Sequence, residues 1–212
     1  MAERLVQKVP APALPIPKAG PVKQYLDDLN NILRLFFNLV SNAVNSVFGE
    51  QGGRFIEAPN AKFFSTVDQT ASVINTAYAL QFENTYLGET ISIVGTQITP
   101  LYSGVYNFEL SVELTSTNAN SKELSFWVRR SGVDIANTGR LHVVAGSGEV
   151  DNFEYSFTMD LTAGQYIELM WATDDTGITI DYQAAASPRP AVPSTLLTVV
   201  FVSALPETLP TP

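Results

Sequence analysis

Between Tyr106 and Leu114 every second residue is apolar: Tyr106, Phe108, Leu110, Val112 and Leu114 alternate with Asn107, Glu109, Ser111 and Glu113. A strand turns successive side chains to opposite faces, so this period of two specifies a half-buried β-strand and does not suit a helix. Phe153, Tyr155, Phe157 and Met159 alternate with Glu154, Ser156 and Thr158 in the same way. Shorter stretches of this character lie at 78–82, 91–99, 124–129, 141–145, 166–171, 178–182 and 196–202. Turn-forming segments separate them: SGV at 103–105, SGVD at 131–134, GSGEVDN at 146–152, TAGQ at 162–165 and DDTG at 174–177. Nine or ten short strands with regular turns and no helical stretch among them predict a mainly β fold, an antiparallel jelly-roll sandwich. TLLTVVFV at 195–202 is a continuous apolar run, expected to be buried on both faces, central in a sheet or at a subunit contact.

Upstream of residue 54 the period is different. Leu26, Leu29, Leu33, Phe36, Val40, Ala43 and Val47 recur at alternating spacings of three and four, an unbroken heptad seam. Tyr25, Ile32 and Leu39 widen it on one flank, which is too broad for a dimer and suits a three-helix bundle or a helix packed on something else. The polar side is almost uncharged, with Asn30, Asn31, Asn38, Ser41, Asn42, Asn45 and Ser46, and Gly49 supplies the stop. The expectation is a self-association helix over 24–48; a helix folded onto its own domain is the alternative.

Charge and proline are both segregated along the 212 residues. Arg4, Lys8, Lys18 and Lys23 against Glu3 give residues 1–23 a charge of +3; the whole chain carries −9, which leaves −12 for residues 24–212. Such an acidic body argues against nucleic-acid binding, which needs clustered Lys and Arg. Pro10, Pro12, Pro15, Pro17 and Pro21 make VPAPALPIPKAGP an extended, polyproline-II-like strap. The apolar Val9, Leu14, Ile16 and Val22 within it point to a docking arm rather than a solvating tail. The expected organisation is an attachment arm at 1–23, the helix at 24–48, a linker at 49–61, the jelly roll at 62–205 and a proline-rich tail at 206–212.

Zero cysteines exclude disulfides, thiolate zinc sites, iron–sulfur ligation and a cysteine nucleophile. His142, the one histidine, cannot build a multi-histidine metal centre. His142 with Ser147 and Asp151 would make a hydrolase trio on paper, but there is no G-x-S-x-G elbow, and a lone strand histidine reads as structural. Asp174, Asp175 and Asp181 are the local acid cluster; calcium takes six to eight oxygen ligands, and a polar turn explains DDTG equally well, so no metal is assigned. Arg129 and Arg130 read as a solvated strand end. Trp127, on the face opposite Phe126, is exposed or buried between subunits, and aromatic anchors favour the second. No run of about 18 apolar residues exists to span a membrane, and residues 1–20 lack the apolar block of a secretory signal.

Four segments in order, GVYNFELSVELTST (104–117), ELSFWVRRSGVDIANTG (123–139), FTMDLTAGQYIELMWAT (157–173) and RPAVPSTLLTVVFVSAL (189–205), resemble the jelly-roll domain of the complement-globular-head and tumour-necrosis-factor superfamily, in the version found in bacteriophage virion proteins. The residues carrying it are Gly104, Tyr106 and Phe108, then Gly132, then Leu161, Ala163, Gly164, Ile167, Glu168 and Leu169, then Val199–Val202. LDDLNNILRLFFN (26–38), joined through GGRF (52–55), is similar to the N-terminal part of marine tailed-phage structural proteins. Gln165 departs from the acid often found after the Ala-Gly turn.

The resemblance implies a homotrimer with apolar and aromatic residues at a three-fold axis, here Trp127, Val199 and Phe201, and a virion component whose N-terminal segment plugs into the particle. The expected function is non-enzymatic: capsid decoration or cementing on the virion exterior, after synthesis in the host cytoplasm. Attachment to the major capsid protein or another virion protein falls to Arg4, Lys8, Val9, Leu14, Ile16 and Lys18. No cofactor, nucleic acid or membrane insertion is expected. The alternative is a tail fibre or receptor-binding tip that takes a host-surface glycan or protein.

Overall fold

The computed structural model describes residues 22–48, 58–88, 90–146, 148 and 150–205. Two compact units divide the chain, one containing the helix and the other spanning Pro59–Val202. The helix α1 runs Lys23–Phe48. Its polar side is partly covered, with Ser41 buried and Asn30 and Asn45 half-buried, while Ile32, Leu35, Phe36 and Leu39 are exposed.

The β unit contains β1 (Asn60–Ser65), β2 (Gln69–Thr70), β3 (Tyr78–Ala79), β4 (Asn84–Gly88), β5 (Ile91–Val94), β6 (Gln97–Pro100), β7 (Gly104–Ser116), β8 (Lys122–Arg130), β9 (Val133–Asp134), β10 (Arg140–Val144), β11 (Val150–Leu161), β12 (Ile167–Thr173), β13 (Ile178–Ile180) and β14 (Thr195–Ser203). They form two seven-stranded antiparallel sheets. The first is ordered β2-β13-β7-β14-β1-β4, with β11 paired to β7; the second is ordered β10-β8-β12-β6-β5, with β3 on β12 and β9 on β8. The chain passes from sheet to sheet at β2–β3, β3–β4, β4–β5, β6–β7, β7–β8, β10–β11, β11–β12 and β12–β13, which makes this a jelly roll.

The alternation in β7 does what its sequence demands. Tyr106, Phe108, Leu110, Val112 and Leu114 are buried, and β11 lies beside them in unbroken register from Val150↔Thr115 to Leu161↔Gly104. Phe153 reaches across from β11 to stack on Phe126 of β8, and Trp171 lies 1% exposed in the same core. At the TAGQ turn before β12, Gly164 takes φ +78°, a left-handed conformation that a Cβ would strain.

Several expectations change. The jelly roll begins at β1, so Asn60 and Ala61 are strand rather than linker. The stretch 91–99 is a hairpin of two strands turning at Gly95, and 78–82 is strand only at Tyr78–Ala79, although Leu80 and Phe82 are buried. β14 is central, between β7 and β1, but only one face is fully buried: Leu197 and Val199 lie in the core, Leu196 and Thr198 are half-buried, and Val200 is exposed. The arm at 1–21, most of the linker and the tail from 206 lie outside the described residues.

Candidate functional site

The surfaces able to hold a partner are the seam of α1 and the outer faces of the two sheets. On α1 the seam residues Leu26, Leu29, Leu33, Phe36 and Val40 are all exposed in the single chain, and the flank is barer still, with Leu39 at 70% and Ile32 at 64%. Ala43 is exposed as well, while Tyr25 and Val47 have side chains outside the described set. Phe36 and Phe37 meet edge to face, 5.8 Å between centroids.

The outer face of the first sheet is polar and hydrogen-bonded to itself. Asn152 of β11 donates to Glu113 (2.7 Å) and Ser111 (3.0 Å) of β7, Asn107 donates to Glu109 (3.1 Å), and Thr158 donates to Asn107 (3.3 Å). A shallow groove of about 390 Å³ runs beside this ladder, lined in part by Glu154, Ser156, Leu196 and Thr198. Period-two reading finds the outward positions of β7 and β11; the bonds between them needed the register.

On the second sheet Trp127 faces away from the core, half-buried, and its indole N–H donates to Asp134 on β9 (2.9 Å). Arg129 donates to the same carboxylate oxygen (2.8 Å). The Arg129 bond, with the Trp127 bond behind it, holds the Asp134 carboxyl below its usual range. Arg130 pairs with Asp160 (3.1 Å), so neither arginine is a bare solvated charge. Leu141 and Val143 of the edge strand β10 are exposed.

The expected subunit contacts of the jelly roll need correcting. Val199 is 0% exposed and belongs to the core of its own sandwich, where no second subunit can touch it. Phe201 packs on that core, 5.5 Å edge to face with Tyr106. The continuous apolar run misled because its inward half fills the sandwich, so of the three only Trp127 stands on an outer face.

The acid cluster does not gather. Asp175 ties three segments together: its carboxylate accepts from the Gly177 N–H (2.7 Å), the Asn118 amide (2.8 Å) and the Lys122 ammonium (3.0 Å). Those bonds, led by Gly177, lower its pKa to about 2. A Cβ on Gly177 would lie 2.6 Å from the Asn118 amide nitrogen, so a larger residue there must displace the Asn118 side chain from Asp175. Asp174 accepts from the Glu123 N–H, and Asp181 sits near Asp68, its pKa raised by burial and then by that neighbour. Among the described residues no three acids or histidines are grouped to hold a metal. DDTG is a turn whose acids are engaged separately within the fold.

His142 Nε2 and Asp151 Oδ2 are 2.8 Å apart, joining β10 of one sheet to β11 of the other, with the ring 5.3 Å from Phe153. This pair closes the side of the sandwich; Ser147 lies outside the described residues, as do the attachment residues Arg4, Lys8, Val9, Leu14, Ile16 and Lys18.

No protein-family model matches the chain, and no curated protein matches it in sequence. Among solved structures, crystal structures of murine APRIL at pH 8.5 and pH 5.0 are similar at 11% and 10% identity, each over 69% of this chain and 100% of its own, with a TM-score of 0.45.

Proposed function

We propose that the chain is a non-catalytic structural protein of a bacteriophage virion, a homotrimer that decorates or cements the capsid with its jelly roll outward. Residues 1–23 dock on the major capsid protein or another virion protein through Arg4, Lys8, Val9, Leu14, Ile16 and Lys18. The ordered sequence resemblance over 24–205 supplies the virion assignment. The observation that carries the mode of display is that the chain enters and leaves the jelly roll at one place: the Phe201 N–H donates to the Pro59 carbonyl (2.9 Å), and Asn60 pairs with Val200. A tether at that place leaves the opposite loops, 66–77, 117–121 and 174–177, free to face outward. Three arms on one trimer add their binding free energies, so weak single contacts give a firm attachment.

Purified virions resolved on a stained gel test this reading. Hundreds of copies per particle are expected; about a dozen would move the protein to the tail, as a fibre or receptor-binding tip. Deleting residues 1–23 should leave a trimer that no longer binds particles, and unimpaired binding would overturn the arm.

A further inference from the structure

We infer that the trimer is held by α1, with the same helix of two further copies as occupants of its apolar face, and that the jelly roll contributes little to assembly. This rests on the homotrimeric reading and says where the assembly information lies. The spacing of the seam assigns Leu26, Leu33, Val40 and Val47 to heptad position a and Leu29, Phe36 and Ala43 to position d, with Tyr25, Ile32 and Leu39 recurring at g. A repeat of 3.5 residues keeps its stripe facing a partner only when that partner is another helix supercoiling with it. Among the described residues α1 is the sole helix, so the partner comes from another copy.

The width of the face sets the number. Apolar residues at a, d and g cover about three positions in seven, the pattern of a helix in a bundle rather than a two-stranded zipper. Ile32 and Leu39, left at 64% and 70% exposure, are the positions that a two-stranded contact would leave wet and a third helix covers. Position g, where charges would specify a partner of different sequence, carries none over these heptads, which suits identical helices.

The first sheet of the jelly roll lacks a comparable surface, and the second offers Trp127, half-buried and bonded to Asp134, with Leu141 and Val143 on its edge strand. On the outer face of β7 and β11 Asn107 donates to Glu109, Asn152 to Ser111 and Glu113, and Thr158 to Asn107, while of the residues expected at the axis Val199 is buried in the core and Phe201 packs half-buried against it.

Sedimentation of the full chain and its variants decides the matter. The wild type should sediment at about three times the 23.1 kDa chain. Leu33→Asp with Phe36→Asp should fall to the single-chain mass with its near-ultraviolet circular dichroism, which reports the packed aromatic core, unchanged. The milder Leu39→Glu should raise the concentration for half-dissociation about tenfold or more, which for a three-chain equilibrium is about a hundredfold in the dissociation constant, equivalent to about 2.8 kcal/mol per trimer. Leu196→Asp with Thr198→Arg, on the sheet face, should remain at the wild-type mass. Helix variants that stay trimeric, or sheet variants that alone dissociate, overturn this inference and leave the trimer standing. A monomeric wild type overturns the trimer itself, and loss of the near-ultraviolet signal in both helix variants would show that α1 is part of the jelly-roll fold, which also overturns it.

Discussion

Phe126 and Phe153 stack face to face across the two sheets, 4.2 Å between ring centroids and 11° from parallel. One ring belongs to β8, inside its sheet next to the edge strand β10, and the other to β11, which pairs with β7 alone, so the pair fastens the layers on the β11 side. Phe153→Ala removes a buried ring and leaves a cavity between layers that cannot collapse without shifting β11; the expected loss is about 3–5 kcal/mol, read from urea denaturation.

Acid should expose the role of Asp175. Its pKa is lowered from 3.8 to about 2 in the folded chain, so its ionised form stabilises the fold fully above about pH 4. That contribution is lost as pH falls from 3.8 through 2. Asp175→Asn should lower the melting temperature at pH 6 and flatten its fall between pH 4 and pH 2; an unchanged acid limb would contradict the assignment.

Glycine is favoured at two turns for different reasons. Gly164→Ala places a Cβ at φ +78° in open surroundings and should cost about 1 kcal/mol. Gly177→Ala drives a Cβ into Asn118 and Thr117 and should cost more, because it also loosens the Asp175 bonds. Thermal melts of the two variants give the order directly.

The two tryptophans should separate in fluorescence. Trp171 is buried in the core and Trp127 stands half-buried on the outer face. Iodide should quench part of the wild-type emission, and Trp127→Phe should leave a blue-shifted, nearly unquenchable remainder.

Calcium should not stabilise the protein. A ligand that binds the folded state alone raises the melting temperature, and Asp174, Asp175 and Asp181 are engaged separately. Millimolar calcium added after chelator treatment is expected to leave the melt unmoved.

What could be read from sequence followed the strength of the periodicity. β7 buries one full face and β11 most of one, with Phe157 half-buried, so their alternation is clean, and the heptad of α1 is equally plain. β1 stayed hidden because its inward positions are Ala61, Phe63 and Ser65, and a buried serine opposite an outward Phe64 erases the alternation. β4 is almost wholly exposed and bulged against β1, which leaves no pattern at all. The surfaces were harder still. Nothing in WVRRSGVD announces that Asp134 returns across a hairpin to hold both Trp127 and Arg129, because the turn geometry makes that contact. The apolar run in β14 signalled a central strand without saying which half of it faces a neighbour.

The adjacency of Pro59 and Phe201 also sets how the β domain would bear load. Tension applied between its two ends would fall on the first rungs of the β1–β14 ladder and open them one after another, like a zipper. A domain held from its N-terminal side alone is not pulled apart between those two ends, so its ladder is not unzipped from the first rung; load from the far end runs along β1 as shear, shared by its bonds to β14 and β4.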